Sequence, residues 1–162
     1  VNAPESSRRV EWSPPDRAAL IASAQALKAD ARSGQFRPLL RGKHVGLLCE
    51  DMDSRDAALF YDAARELGAT VARIRPSVAA LNGEAELRTT ALWLGRLYDA
   101  IECQGLPADV VMQLRSAAGV PVFDGIGCAN HPIADLATAL GGDTDGAEGR
   151  RYVVQALLAS SI

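Results

Sequence analysis

The 162-residue sequence predicts an α/β fold, a single doubly wound domain of about four parallel strands with helices on both faces. Three observations carry that prediction. Short apolar runs of strand length alternate with amphipathic segments of helical period from residue 16 to residue 140. Glycines stand where strands give way to helices and where helices stop. With 48% hydrophobic and 23% charged residues, the chain suits one core and leaves no room for a second large domain.

Residues 1–15 are polar and contain three prolines, which reads as a mobile N-terminal arm. Asp16 is then expected to cap a helix, because Leu20, Ile21, Ala24, Leu27 and Ala31 repeat at helical spacing and Gly34 follows as a stop. "HVGLLCE" supplies the first strand, through Val45, Leu47, Leu48 and Cys49. The next helix carries Ala57, Phe60, Tyr61, Ala64 and Leu67 on one face and ends at Gly68. "TVARI" at 70–74 is the second strand. A loop with Pro76 and Gly83 leads into a helix over 84–98, and "AIEC" at 100–103 is the third strand. Pro107 opens a helix to Ala117, "VPVFD" at 120–124 is the fourth strand, and "GIGCAN" leads to a helix starting near His131. "GGDTDGAEG" is flexible by composition, which sets a linker at 141–148 and a last helix at 149–162 with Val153, Val154, Leu157 and Leu158 inward. Functional loops belong at the C-terminal ends of the strands in such a fold.

A formal net charge of −3 gives no electrostatic footprint for nucleic acid, and no apolar run reaches the length of a membrane span. The N-terminal residues lack the apolar centre of a signal peptide, and the odd count of three cysteines argues against a disulfide framework. A cytoplasmic setting is the expectation.

The segment "LLCEDMDSRDAALFYDAARELGA" holds the first chemical signal, a strand, a loop and a helix N-terminus of the kind that holds a phosphate. Its charge is reversed, with Glu50, Asp51, Asp53 and Asp56 around one Arg55. Without any ligand, Asp53 serves as an N-cap with Asp56 as its acidic partner three residues on, Arg55 pairs with those acids, and His131 is a structural histidine. The motifs ask for no cofactor and no metal. The alternative is a thiol and imidazole site for a soft metal from Cys49, Cys103, Cys128 and His131, all near strand C-termini.

Three further stretches give the sequence a family likeness. "GQFRPLLRGKHVGLLCE", "LYDAIE" and "AGVPVFDGIGCANHPIADLATAL" together resemble the carbamoyl-phosphate domain of the aspartate and ornithine carbamoyltransferases. The last is the most specific, because a strand, a glycine turn and His-Pro recur in register. The resemblance implies that "EGRRYVVQALLA" is the family's returning C-terminal helix. Residues 141–148 then stand in place of the domain that binds the amino-acid acceptor, as an internal deletion.

Carried over residue by residue, the likeness places Asp53, Ser54, Arg55, Asp56 and Ala57 on the family's Ser-Thr-Arg-Thr-Arg phosphate loop. Only Arg55 is kept outright. The family's carbamoyl-contacting arginine falls at Gln104, and its Asp-Thr-x-Arg segment reads Thr89, Thr90, Ala91, Leu92. Of His-Pro-x-Gln, His131 and Pro132 remain, with Ala134 in place of the glutamine. The expected substrate-binding set is therefore Asp53, Ser54, Arg55, Asp56, Gln104 and His131, with His131 as the catalytic candidate through carbonyl polarisation. At about 4 Å and an effective dielectric near 20, each new like-charge contact costs a bound phosphate about 4 kcal/mol. The sequence thus reads as a carbamoyltransferase-like protein without carbamoyl transfer of its own, acting as an oligomeric scaffold, regulatory subunit or binder of a small anionic or cationic metabolite. The alternatives are an enzyme with altered chemistry in the old cleft, or a carbamoyl phosphate binder working with a separate acceptor-domain partner. The family implies a homotrimer, or a mixed assembly with a complete carbamoyltransferase.

Overall fold

The computed structural model describes residues 14–141 and 146–162. The expected arm lies outside them as far as residue 13, and the expected linker lies outside them at 142–145. Helix α1 spans Pro14–Arg32. It starts two residues before the expected cap, because proline is at home in a first turn that lacks N–H acceptors anyway, and Asp16 sits within that turn. Strand β1 (His44–Cys49) follows, then α2 (Arg55–Glu66), β2 (Thr70–Ile74), α3 (Val78–Leu81), α4 (Glu84–Leu97) and β3 (Ala100–Gln104). The chain continues through α5 (Ala108–Ala118), β4 (Val122–Asp124), a 3-10 helix (Pro132–Leu140) and α6 (Ala147–Ser161).

Three further elements differ from expectation. The loop before α4 contains the single turn α3, capped by Ser77, whose hydroxyl accepts from the Ala80 N–H at 3.1 Å. The helix after His131 is a 3-10 helix, and α6 begins at Ala147 rather than 149, with Glu148 in its first turn.

All strands pair in parallel, in the order β2-β1-β3-β4. Successive side chains on a strand point to opposite faces. Val45, Leu47 and Cys49 therefore join the core built with α1, α2, α6 and the 3-10 helix, where Phe60 and Leu158 are fully buried. Leu48, Ile101, Cys103 and Val122 join the opposite core under α4 and α5. After β1 the chain moves outward to β2, then returns across β1 to place β3 on its other side. The C-terminal ends of β1 and β3 thus form a topological switch point, where α/β sheets open a crevice.

Candidate functional site

A cleft of about 970 Å³ lies at that switch point. β1 runs out into it through Cys49, Glu50 and Asp51, and β3, in register at Cys49↔Gln104, contributes Gln104 and Gly105. β4 and the loop after it add Asp124, Cys128 and His131, while Leu157 and Ser161 of α6 close one side.

Ser54 and Asp56 place the start of α2 at the cleft. Ser54 is the N-cap, its Oγ accepting from the Ala57 N–H at 3.1 Å. This corrects the expected cap at Asp53, which lies one residue before the Ser54 cap, exposed, with its own N–H donating to Asp51 Oδ1 at 3.2 Å. The Asp53–Asp56 box does not form. Asp56 instead turns its Oδ1 to the Ala129 N–H at 3.3 Å and lies 3.8 Å from Nη1 of Arg150. Arg55 is exposed and does not line the cleft, and among the described residues it has no ion-pair partner, so the expected pairing with the neighbouring acids is absent.

Gln104 lines the cleft but spends its amide inward. Its Nε2 donates to the Asp56 carbonyl at 3.3 Å and to Glu102 Oε1 at 3.2 Å. Glu102 is fully buried in β3, with Oε1 also accepting from the Gly127 N–H at 3.2 Å and Oε2 without a partner among the described residues. Burial pushes its pKa from an ordinary 4.5 up to about 8, against the opposing pull of the Gly127 and Gln104 hydrogen bonds. The carboxyl behind the cleft wall therefore holds its proton to higher pH than an ordinary glutamate. The contact needs Gly127, where a Cβ would stand 2.8 Å from Phe60 Cβ and 2.9 Å from Gln104 Nε2.

His131 lines the cleft and caps the 3-10 helix, its Nδ1 accepting from the Ile133 N–H at 3.2 Å. Burial lowers its pKa, favouring the neutral ring against the pull of Asp124, and in that ring the acceptor role of Nδ1 puts the proton on Nε2. This leaves one N–H donor for a carbonyl-type oxygen. The charged walls are otherwise acidic: Glu50, Asp51, Asp56 and Asp124 face a single cleft cation, Arg115, whose Nε and Nη2 both donate to the Val122 carbonyl at 3.1 and 3.0 Å.

The soft-metal alternative is not assembled. Among the described residues, no three His, Cys, Asp or Glu side chains are grouped to hold an ion. Register explains it: Cys103 pairs with Leu48 and points into the α4/α5 core, whereas Cys49 points to the α2 face. The thiols are also poor nucleophiles. Burial pushes Cys49 and Cys103 up, and burial with the nearby acids, including a hydrogen bond to Asp56, pushes Cys128 up to about 12.

Glu102, Arg115, Asp124 and Arg150 were not singled out by sequence reasoning. For Glu102 a signal existed, one carboxylate inside the apolar run of "AIEC". For Arg150 none did.

The family model for the aspartate/ornithine carbamoyltransferase carbamoyl-phosphate-binding domain matches residues 8–140. The ornithine carbamoyltransferase of Cutibacterium acnes is 39% identical over 121 residues, covering 75% of this chain and 36% of the relative. Ornithine carbamoyltransferase from Pyrococcus furiosus superposes with a TM-score of 0.69 at 22% identity, over 80% of this chain and 42% of that one. Aspartate transcarbamoylase from Trypanosoma cruzi, solved in complex with carbamoyl phosphate, gives 0.65 at 25% identity, over 80% of this chain and 43% of that one. The chain spans well under half the length of each of these relatives, and no helix among the described residues is long and apolar enough to cross a membrane. On the extent of the family match, this chain belongs to the aspartate/ornithine carbamoyltransferase family, which it joins through the carbamoyl-phosphate-binding domain.

Proposed function

We propose that this domain retains the family's cleft as a small-ligand site but no longer holds carbamoyl phosphate tightly enough for carbamoyl transfer. The observation that carries the reading is the charge of the cleft, where four carboxylates face one guanidinium and Arg55 stands outside. A phosphate dianion entering there meets repulsion of about 4 kcal/mol per close carboxylate at an effective dielectric near 20. The remaining ligand classes are neutral or cationic, and the roles this leaves are ligand sensing, regulation or support of an assembly. Residues 141–148 are read as replacing the acceptor domain, which fits the packing of α6 against α1, α2 and the 3-10 helix. The chain is further read as a homo-oligomer, a trimer by family likeness or a mixed assembly with a complete relative. Three free thiols accord with a reducing, cytoplasmic setting.

His131 favours a second reading, an enzyme of altered chemistry, since its neutral Nε2–H remains available to polarise a carbonyl at the cleft. Calorimetric titration with carbamoyl phosphate at low ionic strength tests both readings against the parental activity. No saturable heat is expected up to several millimolar. Binding below about 1 mM, equivalent to roughly 4 kcal/mol, would overturn the proposal and point to a carbamoyl phosphate binder that borrows an acceptor domain.

A further inference from the structure

Asp56 is the point at which groups from three distant parts of the chain meet, besides the Cys128 thiol hydrogen-bonded to its side chain. The Ala129 N–H donates to its Oδ1 at 3.3 Å, Arg150 Nη1 of α6 lies 3.8 Å from the same oxygen, and Gln104 Nε2 donates to its backbone carbonyl at 3.3 Å. A backbone N–H and a guanidinium converging on one oxygen at the edge of a cleft is the donor arrangement that binds an anion. Here the oxygen belongs to the chain. Asp56 lines the cleft, whereas Arg150 does not. The Arg150 side chain is 14% exposed, and among the described residues its buried Nε has no hydrogen-bond partner, so Asp56 alone satisfies the cation incompletely.

We infer that Asp56 and Arg150 set the charge specificity of the cleft: Arg150 is a masked anion-binding cation, and the Asp56 carboxylate is the internal anion that occupies it. The inference deepens the functional reading above and rests on it, because it names the residues that exclude phosphate dianions and leave the cleft to neutral or cationic ligands. It also assigns α6 a part in ligand choice. The helix carries the cation that the loop's own Arg55, exposed outside the cleft, does not provide there. Replacing Asp56 by a shorter neutral side chain removes the repulsive charge and opens Arg150 and the Ala129 N–H to an incoming anion in one step.

The experiment is calorimetric titration of the full chain with inorganic phosphate at low ionic strength, for the unsubstituted protein, Asp56→Thr and the double variant Asp56→Thr/Arg150→Met. Threonine is close to aspartate in size and carries no charge. If its circular dichroism departs from the parent, Asp56→Ser is read in its place. The unsubstituted protein should give no saturable heat to several millimolar, the single variant should bind about tenfold or more tighter than that limit, and the double variant should lose the gain. A folded single variant as inert as the parent overturns the inference while the functional reading stands. A gain that survives in the double variant removes Arg150 from the role and overturns it equally. Saturable phosphate binding by the unsubstituted protein instead defeats the functional reading itself.

Discussion

Glu102 occupies the middle of β3 between Leu47 and Phe123, in a row of the sheet whose other charged member is the exposed Arg73 on the edge strand β2. Its folded pKa of about 8 lies above the ordinary 4.5, so between those values the folded state binds more protons than the unfolded chain. Stability therefore falls as pH rises through that window, by up to about 1.4 kcal/mol per pH unit. Glu102→Gln keeps an oxygen for the Gly127 N–H and the Gln104 amide but cannot ionise. Urea denaturation at pH 5 and pH 8 should show the parent losing stability across the interval and the variant nearly flat. Equal slopes for the two proteins would show that Glu102 does not titrate there. At this scale, Ser54, Asp56, Gln104 and His131, four of the residues the sequence named for the site, line the cleft. Asp53 and Arg55, named for the same site, do not line the cleft: Asp53 precedes the Ser54 cap and Arg55 is exposed. Glu102 and Arg150 acquire their roles only through tertiary contacts with Gly127 and Asp56, which no local spacing encodes.

Gly95 sits inside α4, where a glycine ordinarily costs about 1 kcal/mol relative to alanine. The neighbouring helix explains it: a Cβ at Gly95 would overlap the carbonyl oxygen of Ala118, at the end of α5. The close approach of α4 and α5 over Leu94, Leu114 and Val122 depends on that missing methyl. Gly95→Ala should therefore destabilise the fold by about 2 kcal/mol or more, despite its better helix propensity, as a lowered urea midpoint. A raised midpoint would mean that α5 yields freely. The same scale shows why most elements were legible in advance. β1 to β4 and the helices α1, α2, α4, α5 and α6 each repeat apolar residues over several turns or a full strand. Single-turn α3 has no period to detect, and the 3-10 geometry after His131 is set by bonds such as Ala134 N–H to the His131 carbonyl.

For the molecule as a whole, the junction between the 3-10 helix and α6 is held by Lys28, which is nearly buried. Its Nζ donates to the Leu140 and Gly141 carbonyls at 3.2 and 2.8 Å and lies 3.4 Å from Glu148 Oε2. A buried ammonium persists only with such partners, so both sides of the junction are tied to α1. On the other side of the sheet, α4 and α5 carry Trp93, Leu97 and Met112 more than half exposed, with Leu92 beside them. Burying side chains of this size against another copy is worth about 1.5–3 kcal/mol each, enough in combination to favour association. Sedimentation velocity should accordingly show species larger than one chain, and Trp93→Glu with Leu97→Glu should shift them toward the monomer without lowering the urea midpoint. A parent protein that stays monomeric to about 100 μM, corresponding to association weaker than roughly 5.5 kcal/mol, would exclude this surface as the seat of a homo-oligomer and leave a different chain as the partner for α4 and α5.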